Sequence, residues 1–479
     1  MTAGQAGPST GESGSEPLWR RSARQLAASY AEGSATPAEV LEAVVEHAEQ
    51  IDRRLNVFAH RAFDAARRSA AASGERWRAG TPLSAYDGVP LTVKDNIPVA
   101  AMPCAWGSRL YADRTPERDE LCVGRLRAGG WVILGKSNVS EFTLGLGNVS
   151  TLLHGTTRNP WNPALTTGAS TGGGAAAVAA GVGPVALGTD GGGSIRWPAG
   201  YCGLVALKPT LGRVARLDGL PTVLHDLEVI APAARTVADL SALLGAVAGP
   251  DARDRRSLGV PDGPAFRGRS LRIRMVGRFG DYPVEPEITA SLTAAADRLS
   301  ALGHRVETGE VPFDFGRFDT HWRTIGTTGL AWLMRRHPDW RAAVGDIYPP
   351  MVEHGRSLSA ADYVDALDAF RDLFAQLADF FTGTDLLLTP VAGAMPWAAD
   401  QLAPPYQRVF TGIANATGVP ALSLPGPPSP AGLPIGFQLV GPYGADRALL
   451  DLASDYEAAY GWADRWPAVA APLPKGARA

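Results

Sequence analysis

Lysine is scarce in this sequence of 479 residues. Lysine and arginine together number 45, and only four of them are lysine: Lys94, Lys136, Lys208 and Lys475. A position that needs only a positive charge is therefore nearly always filled by arginine in this chain. Lysine differs from arginine because it can lose its proton when it is buried, whereas arginine stays protonated. The scarcity marks the remaining lysines as candidates for positions where the chemistry of lysine itself is needed.

Cysteine is rare as well, and the chain has only Cys104, Cys122 and Cys202. Their number is odd, their spacing is wide and no C-x-x-C motif occurs, which favours a reduced, cytoplasmic protein. No H-E-x-x-H motif is present and the eight histidines are scattered, so we predict neither a metal nor another cofactor. We expect Cys202 to be a small buried side chain rather than a reactive thiol.

The chain also lacks a strong charge bias and a long apolar run. A net charge of −3 gives no electrostatic reason to expect a nucleic acid or an anionic membrane as a partner. There is no apolar run of about 18 residues, as a transmembrane helix would need. The N-terminus has no basic region followed by an apolar one, so no secretory signal is predicted. We expect a small-molecule substrate, and a protein that is a monomer or a homodimer.

Two kinds of segment are expected in the N-terminal part of the chain. Residues 1–16 are rich in glycine and serine and predict a disordered tail. Residues 17–80 contain two segments with helical apolar spacing, and the second opens with Thr36, Pro37 and Glu39, which is typical of a helix start. Because no linker divides the rest of the chain, residues 17–479 are predicted to form one large domain.

The middle of the chain alternates between short β-branched runs and helical segments. The runs "GVPLTVKDN", "WVILGKSN" and "PVALGTD" each end in Gly, Asn or Asp. Five further segments also contain short apolar runs: "LRIRMVG", "HRVETGEV", "DLLLTPV", "ANATGVPALSLPG" and "PIGFQLVGP". This alternation predicts an α/β fold with buried strands. Residues 313–380 read as a helical elaboration of that fold.

Two serines follow or precede glycine-rich turns. Ser170 lies in "GASTGGG", a G-x-S-x-G pattern that carries the nucleophile in many serine hydrolases. Ser194 ends "GTDGGGS", where glycines allow several backbone N–H groups to converge on one point. Such N–H groups stabilise a developing oxyanion by about 3 kcal/mol each. A serine at the end of that turn is well placed to attack the carbonyl bound there.

A serine hydroxyl needs a base, and neither serine has a histidine nearby in sequence. A buried lysine that is held neutral by desolvation can take this role. Lys94 ends a β-branched run in a chain that otherwise uses arginine, which makes Lys94 the candidate base.

These segments resemble the amidase signature family, whose members hydrolyse amide bonds with a Ser–cis-Ser–Lys triad. The family's glycine–serine run and its following motifs are similar to "GASTGG", "GTDGGGSIRWPAG" and "CGLVALKPT" here. The similarity extends to "GVPLTVKDN", "GKSNVSEF", "TTRNPWNP", "FTGIANATGVPALSLP" and "PIGFQLVGP". It covers roughly residues 85–455.

The resemblance implies a fold and a role for each matched residue. The fold is a single α/β domain in which a mixed, twisted β-sheet is covered by helices on both faces, with the signature core at residues 85–215 and a substrate-side helical region at 313–380. Ser194 would be acylated, Ser170 would follow a cis peptide bond and relay the proton, and Lys94 would be the base. The remaining matched positions supply the oxyanion hole (the N–H groups of Gly191, Gly192, Gly193 and Ser194) and its support (Asp190, Arg196 and Thr171, which replaces the family's second serine). Ala169 stands where the family often has glycine.

The resemblance also implies a hydrolase that cleaves the C–N bond of a small amide. The aromatic residues between 315 and 348 (Phe315, Phe318, Trp322, Trp332, Trp340 and Tyr348) belong either to the core or to the substrate pocket. If they line the pocket, the substrate is apolar or aryl. Trp106, Leu146, Gly147 and Asn148 are further candidates for substrate contacts. The alternatives are a carbamate (urethane) or ester hydrolase with the same triad, and a glutamine-hydrolysing amidotransferase subunit.

Three other interpretations arise at the level of sequence, and the phosphate-binding one fails. An α/β-hydrolase with Ser170 as nucleophile would need a downstream acid and then a histidine, which His225, His304, His321, His337 or His354 would supply. That interpretation leaves "GTDGGGS" and Lys94 without a role. A phosphate-binding loop is disfavoured because no G-K-S/T ending occurs. A binding protein that has kept the fold without catalysis is the third.

Overall fold

The computed structural model of the chain describes residues 16–405 and 409–471. The predicted disordered tail lies outside these residues except for Glu16, and Lys475 lies outside them as well. No described helix is both long enough and apolar enough to cross a membrane.

A mixed sheet of 11 strands lies at the centre of the described chain. Its strands are β1 (Phe58–Arg61), β2 (Pro90–Lys94), β3 (Val132–Ser137), β6 (Val185–Asp190), β7 (Val205–Lys208), β8 (Val229–Ala234), β9 (Arg272–Met275), β10 (Arg305–Thr308), β11 (Leu386–Pro390), β12 (Ala421–Pro425) and β13 (Gly436–Val440). Two short strands, β4 (Ser150–Thr151) and β5 (Gly155–Thr156), pair separately. The order across the sheet is β1-β3-β2-β6-β8-β7-β12-β13-β11-β9-β10. Every residue of β2, β3, β6, β7, β8, β11, β12 and β13 is buried, because helices flank the sheet.

The flanking helices account for most of the remaining regular structure. They are α1 (Ala23–Glu32), α2 (Pro37–Leu55), α3 (Phe63–Arg78), α4 (Leu121–Ala128), α5 (Gly172–Ala179), α6 (Arg196–Cys202), α7 (Val237–Val247), α8 (Pro286–Ala301), α9 (Phe315–Met334), α10 (Tyr348–Ser357), α11 (Ala360–Gly383), α12 (Gly412–Thr417) and α13 (Asp446–Tyr460). The predicted α/β class is therefore confirmed, as a single domain with a large mixed sheet.

The helix signals read from the sequence correspond to real helix starts. Thr36 accepts a hydrogen bond from the Glu39 N–H, and the Glu39 carboxylate accepts one from the Thr36 N–H, so α2 begins with a capping box. The helical elaboration predicted at 313–380 consists of α9, α10 and α11.

The N-terminal region differs from the prediction of two external helices. Residues 17–80 contain a third helix, α3, and the strand β1, which pairs antiparallel with β3 at the edge of the main sheet. This region is thus part of the sheet as well as of the helical layer. The sequence signal for β1 is weak because the strand has only four residues, "FAHR", and only its first residue is buried.

Candidate active site

The pairing of two parallel strands brings Lys94 to the site. β2 and β6 are hydrogen-bonded neighbours that run in the same direction. The carboxyl ends of parallel strands lie at the same edge of a sheet, so Lys94 at the end of β2 meets Thr189 and Asp190 at the end of β6. Ser170 and Ser194 lie in the loops that lead into α5 and α6.

Lys94 is fully buried, and its side-chain nitrogen is surrounded by oxygen atoms. Its Nζ donates to Ser170 Oγ at 2.8 Å, to Thr189 Oγ1 at 2.8 Å and to the Thr189 carbonyl at 3.3 Å. Burial lowers the pKa of Lys94 to about 7, against the opposing effect of the nearby Glu228 and Asp190 carboxylates. A large fraction of Lys94 is therefore neutral near pH 7, as a general base requires.

The segment of Ser170 and Thr171 connects Lys94 to the loop that carries Ser194. The Ala169–Ser170 peptide bond is cis, as the family resemblance implies. The Thr171 N–H donates to the Ser194 carbonyl at 2.9 Å. The Thr171 hydroxyl donates to the Thr189 carbonyl at 3.2 Å. These two bonds tie both serine loops to the end of β6.

The glycine run before Ser194 divides into two parts with different roles. Gly191 and Gly192 line the same cavity as Ser194 and Ser170. Gly193 does not line it, and its N–H donates to Asp190 Oδ1 at 2.8 Å. The prediction that Gly193 supplies an oxyanion donor is corrected accordingly, because that N–H already has a carboxylate partner. Gly193 instead makes the turn, with a φ of +109° and no room for a Cβ, which would lie 2.3 Å from Thr411 Oγ1.

A buried ion pair between Asp190 and Arg196 lies beside the Ser194 loop. Arg196 donates from Nε to Asp190 Oδ2 at 3.0 Å and from NH2 to Asp190 Oδ1 at 2.9 Å, and both side chains are fully buried. Asn415 donates to Asp190 Oδ1 at 2.9 Å. Burial alone would raise the pKa of Asp190, but Arg196, Asn415 and the Gly193 N–H hold it well below its usual range. The carboxylate is therefore ionised at neutral pH.

Replacing Asp190 with asparagine is expected to destabilise the protein by about 3–5 kcal/mol, because the Arg196 charge would be left buried without its partner. The measurement is the free energy of unfolding from urea titration. Asp64→Asn serves as the control, since Asp64 pairs with Arg67 on the surface, where its side chain is 88% exposed. A loss at position 190 no larger than that at position 64 would contradict the assigned role.

A cavity of about 350 Å³ opens over Ser194 and Ser170. Its lining is mainly apolar and comes from the loops at 143–146, the glycine turn, α6, α9 and α10. The apolar and aromatic side chains that line it are Leu144, Leu146, Ala169, Trp197, Leu224, Leu227, Trp322, Pro350 and Met351. The polar side chains besides the two serines are Thr143, Arg323, Thr327 and His354.

Leu146 is the one residue of the four predicted substrate contacts that lines this cavity. Trp106 is buried and packs edge-on against Phe142. Gly147 lies against the rings of Trp397 and Trp197. Asn148 donates to the carbonyls of residues 399 and 401. The prediction is corrected for these three residues, which do not line the cavity.

The aromatic residues between 315 and 348 are divided between the core and the cavity. Trp322 lines the cavity. Phe318, Trp340 and Tyr348 are buried, and Trp332 is 38% exposed. Helical residues three or four positions apart share a face, and those between them face other surroundings, so aromatic residues that are close in sequence are divided between core and cavity.

Lys136, Lys208 and Cys202 lie in environments that indicate a structural role rather than a catalytic one. Lys136 Nζ lies 3.5 Å from Asp95 Oδ1, and Lys208 Nζ donates to the Pro209 carbonyl at 2.8 Å. Cys202 is buried, and burial raises the pKa of its thiol far above the usual range, so it is an inert side chain as expected. Within the described residues, no group of three or more His, Cys, Asp or Glu side chains is placed to hold a metal ion.

The structure adds residues that the sequence reasoning did not select. Thr189 accepts the hydrogen bond from Lys94, and Glu228 accepts one from Thr189 at 3.3 Å. Asn415 bridges the Asp190 carboxylate and the Leu227 carbonyl. Thr189 and Asn415 lie inside the motifs "GTDGGGS" and "FTGIANATG", so these motifs were the sequence signal that could have identified them. Glu228 lies outside every motif considered.

Comparison with known proteins gives one family for almost the whole chain. The amidase family model matches residues 39–450. A glutamyl-tRNA(Gln) amidotransferase subunit from Synechococcus sp. strain CC9605 is 35% identical over 465 residues, which covers 89% of this chain and 94% of that protein. An acylamidase of Rhodococcus erythropolis is 31% identical over 466 residues, which covers 93% of this chain and 97% of the acylamidase.

A similar fold occurs in a solved structure of the same kind. A bacterial aryl acylamidase of the amidase signature enzymes superposes with a TM-score of 0.87 at 26% identity, covering 96% of this chain and all of that chain. The similar proteins share the fold and differ in the reaction for which they are named.

Proposed function

Since this chain belongs to the amidase family and is a hydrolase of amide C–N bonds, we propose that its substrate is a small apolar or aryl amide, cleaved through a seryl acyl-enzyme. The observation that carries the proposal is the mainly apolar lining of the cavity over Ser194. An apolar pocket with few polar groups binds an apolar ligand by removing its surface from water. An aryl acylamidase among the similar structures supports the same class of substrate.

Acylation begins with attack of Ser194 Oγ on the amide carbonyl carbon. The Ser194 proton passes to Ser170, and the Ser170 proton passes to neutral Lys94, which is within 2.8 Å. The negative charge on the carbonyl oxygen is stabilised by backbone N–H groups of Gly191, Gly192 and Ser194. When the C–N bond breaks, Ser170 donates its proton to the leaving nitrogen and recovers one from Lys94.

Deacylation repeats these steps with water as the nucleophile. Water attacks the Ser194 ester, its proton passes through Ser170 to Lys94, and Ser194 leaves with a proton returned along the same route. The products are a carboxylic acid and the free enzyme. A carbamate or an ester passes through the same steps, and we keep urethane or ester hydrolysis as the second candidate for that reason.

A glutamine-hydrolysing subunit is the third candidate, because the relative from Synechococcus is named as part of an amidotransferase. We rank it lower because a glutamine side chain is polar and the cavity is mainly apolar. On the same grounds we propose a small-molecule substrate and no nucleic acid partner. A cytoplasmic location is supported by three buried, free cysteines.

The test is a comparison of kcat/KM for an anilide, an aryl carbamate, a p-nitrophenyl ester and glutamine, in the wild type and in Trp322→Ala. We expect the anilide to be hydrolysed in preference to glutamine. Loss of the Trp322 ring is expected to lower kcat/KM for the anilide about tenfold, because a ring contact in the cavity is removed.

Trp332→Ala is the matched control, since this residue lies on the same helix and is 38% exposed. It should leave all four rates unchanged. Preferential turnover of glutamine, with no effect of Trp322→Ala, would overturn the proposed substrate class in favour of the amidotransferase function.

A further inference from the structure

A chain of hydrogen bonds leads away from Lys94 on the side opposite Ser170. Lys94 Nζ donates to Thr189 Oγ1 at 2.8 Å, and Thr189 Oγ1 lies 3.3 Å from Glu228 Oε2. Thr189 Oγ1 also accepts from Asn96 Nδ2 at 3.0 Å. A threonine hydroxyl has one hydrogen, and with two donors already directed at its oxygen that hydrogen points to Glu228. The order of donation therefore runs from Lys94 through Thr189 to the Glu228 carboxylate.

Glu228 lies between the active site and a second cavity. It does not line the substrate cavity, but it lines a separate cavity of about 340 Å³ formed by the loops at 211–229 and 254–256. Its side chain is 15% exposed, and Arg216 NH1 donates to it at 2.9 Å. The carboxylate thus connects the buried lysine to a polar opening that substrate does not occupy.

Two unpartnered polar atoms lie beside the same carboxylate. Asn96 Oδ1 and Trp106 Nε1 are buried and have no hydrogen-bond partner among the described residues. Both residues line a pocket of about 10 Å³ together with Glu228 and Arg216. That volume matches one water molecule, which would accept from the indole N–H and donate to the amide oxygen.

The reaction needs a path for protons because each turnover of an aryl amide produces a proton, since the weakly basic aryl amine that leaves does not take one up. The carboxylic acid formed in deacylation ionises near pH 7, and its proton is taken up by Lys94, the strongest base at the site. Lys94 has to lose this proton before it can act as a base again, and the substrate cavity is then occupied by product or by the next substrate.

We propose that Glu228 is a positioning residue that accepts this proton from Lys94 through the Thr189 hydroxyl and releases it into the second cavity. In this step the Lys94 ammonium gives a proton to Thr189 Oγ1 as the Thr189 proton moves to Glu228, so Lys94 becomes neutral and Glu228 becomes the acid. Glu228 then loses the proton to water. The inference rests on the proposed function, in which Lys94 is the base.

Other charged groups face Lys94 and Glu228, and most are paired with one another. Asp190 is bound by Arg196 at the end of β6, and Asp95 lies near Lys136 beside β2. Arg216 is shared between two carboxylates, since its Nε donates to Glu120 at 2.8 Å and its NH1 to Glu228. Asp218, His225, Asp226, Asp254 and Arg256 line the second cavity. One guanidinium between two carboxylates leaves net negative charge on this side of Lys94. Removing that negative charge favours the neutral amine of Lys94.

The experiment is the pH dependence of kcat and kcat/KM for Glu228→Gln with an anilide substrate. Loss of the carboxylate is expected to move the acidic limb of kcat/KM to lower pH by about one unit. It is also expected to lower the plateau kcat about tenfold, because the proton acceptor is lost. KM should stay unchanged, since Glu228 does not line the substrate cavity.

Glu120→Gln is the matched control, because it removes the other carboxylate of Arg216 without breaking the Lys94–Thr189–Glu228 chain. It should move the limb less than Glu228→Gln does, because Glu120 does not contact Thr189, and it should leave the plateau kcat unchanged. Thr189→Val, which cuts the chain while keeping Glu228, should lower kcat, and Thr189→Ser should restore it; this pair carries the test if Glu228→Gln does not fold. An unchanged limb and kcat in Glu228→Gln, or an equal loss of kcat in Glu120→Gln, would overturn the inference.

Failure of the proposed function gives a different result. In that case the wild type itself would show no turnover of the substrates tested, or no covalent labelling of Ser194 by a fluorophosphonate. A wild type that is labelled and active, with Glu228→Gln unchanged, rejects the role of Glu228 alone.

Discussion

Replacing Ser194 with alanine is expected to lower kcat about 10,000-fold or more and to abolish covalent labelling by a fluorophosphonate. Ser194 is half-buried and lines the cavity beside Gly191 and Gly192. Removing its hydroxyl removes the atom that forms the acyl-enzyme in the proposed mechanism. The two measurements are turnover of an anilide and mass spectrometry of the labelled protein.

Ser170→Ala is expected to give a different result from Ser194→Ala, which separates the two serines. Without the relay, the reaction slows strongly, but labelling continues slowly at Ser194 because the nucleophile is still present. Ser137→Ala is the control: Ser137 is a buried serine aligned with Lys94 across β2 and β3. Its loss should leave both readouts unchanged. Labelling that survives Ser194→Ala and disappears in Ser170→Ala would make Ser170 the nucleophile.

The positions of the main site residues were predictable because their signals are local. "GVPLTVKDN" and "PVALGTD" are short apolar runs that end in polar residues, and each forms a buried strand with its polar residues at the strand end. The glycines and serines of the two loops restrict where the backbone can turn. Lys94 was singled out by composition, and the structure places it fully buried within 2.8 Å of Ser170.

The residues that were not predictable depend on long-range pairing. Glu228 reaches the site because β8, the strand that follows it, pairs antiparallel with β6. Nothing in the sequence around Glu228 indicates that neighbour. Gly193 was assigned wrongly because the direction of its N–H depends on its backbone dihedrals. Trp106 and Trp322 were both candidates for the cavity from sequence, and only the packing of their elements decides which of them lines it.

The substrate class was also not predictable from the sequence, because it depends on long-range packing. Leu146 and Trp322 come from segments far apart in the chain, and they line one cavity through the packing of α9 beside the loop at 143–146. The sequence shows apolar residues in both segments but not that they share a pocket. Substrate class therefore follows from the assembled cavity rather than from any motif.

Replacing Lys94 with arginine is expected to be nearly as damaging as replacing it with alanine, with kcat lowered about 1,000-fold in both variants. Arginine keeps the positive charge but does not lose its proton, so it cannot act as a base. In the wild type, kcat/KM is expected to rise with pH through about 7, the pKa of Lys94, because the neutral amine is the active form. The measurement is a pH profile of the wild type together with single-pH rates of the two variants.

Lys208 provides a stringent control for the origin of this limb. It is also fully buried, and burial lowers its pKa to about 7, so it would titrate over the same range. Its Nζ donates to the Pro209 carbonyl rather than to either serine. Lys208→Met should therefore keep the limb near pH 7, whereas neither variant of Lys94 should retain it in its residual activity. A limb that disappears in Lys208→Met, or substantial activity in Lys94→Arg, would show that the base is not Lys94.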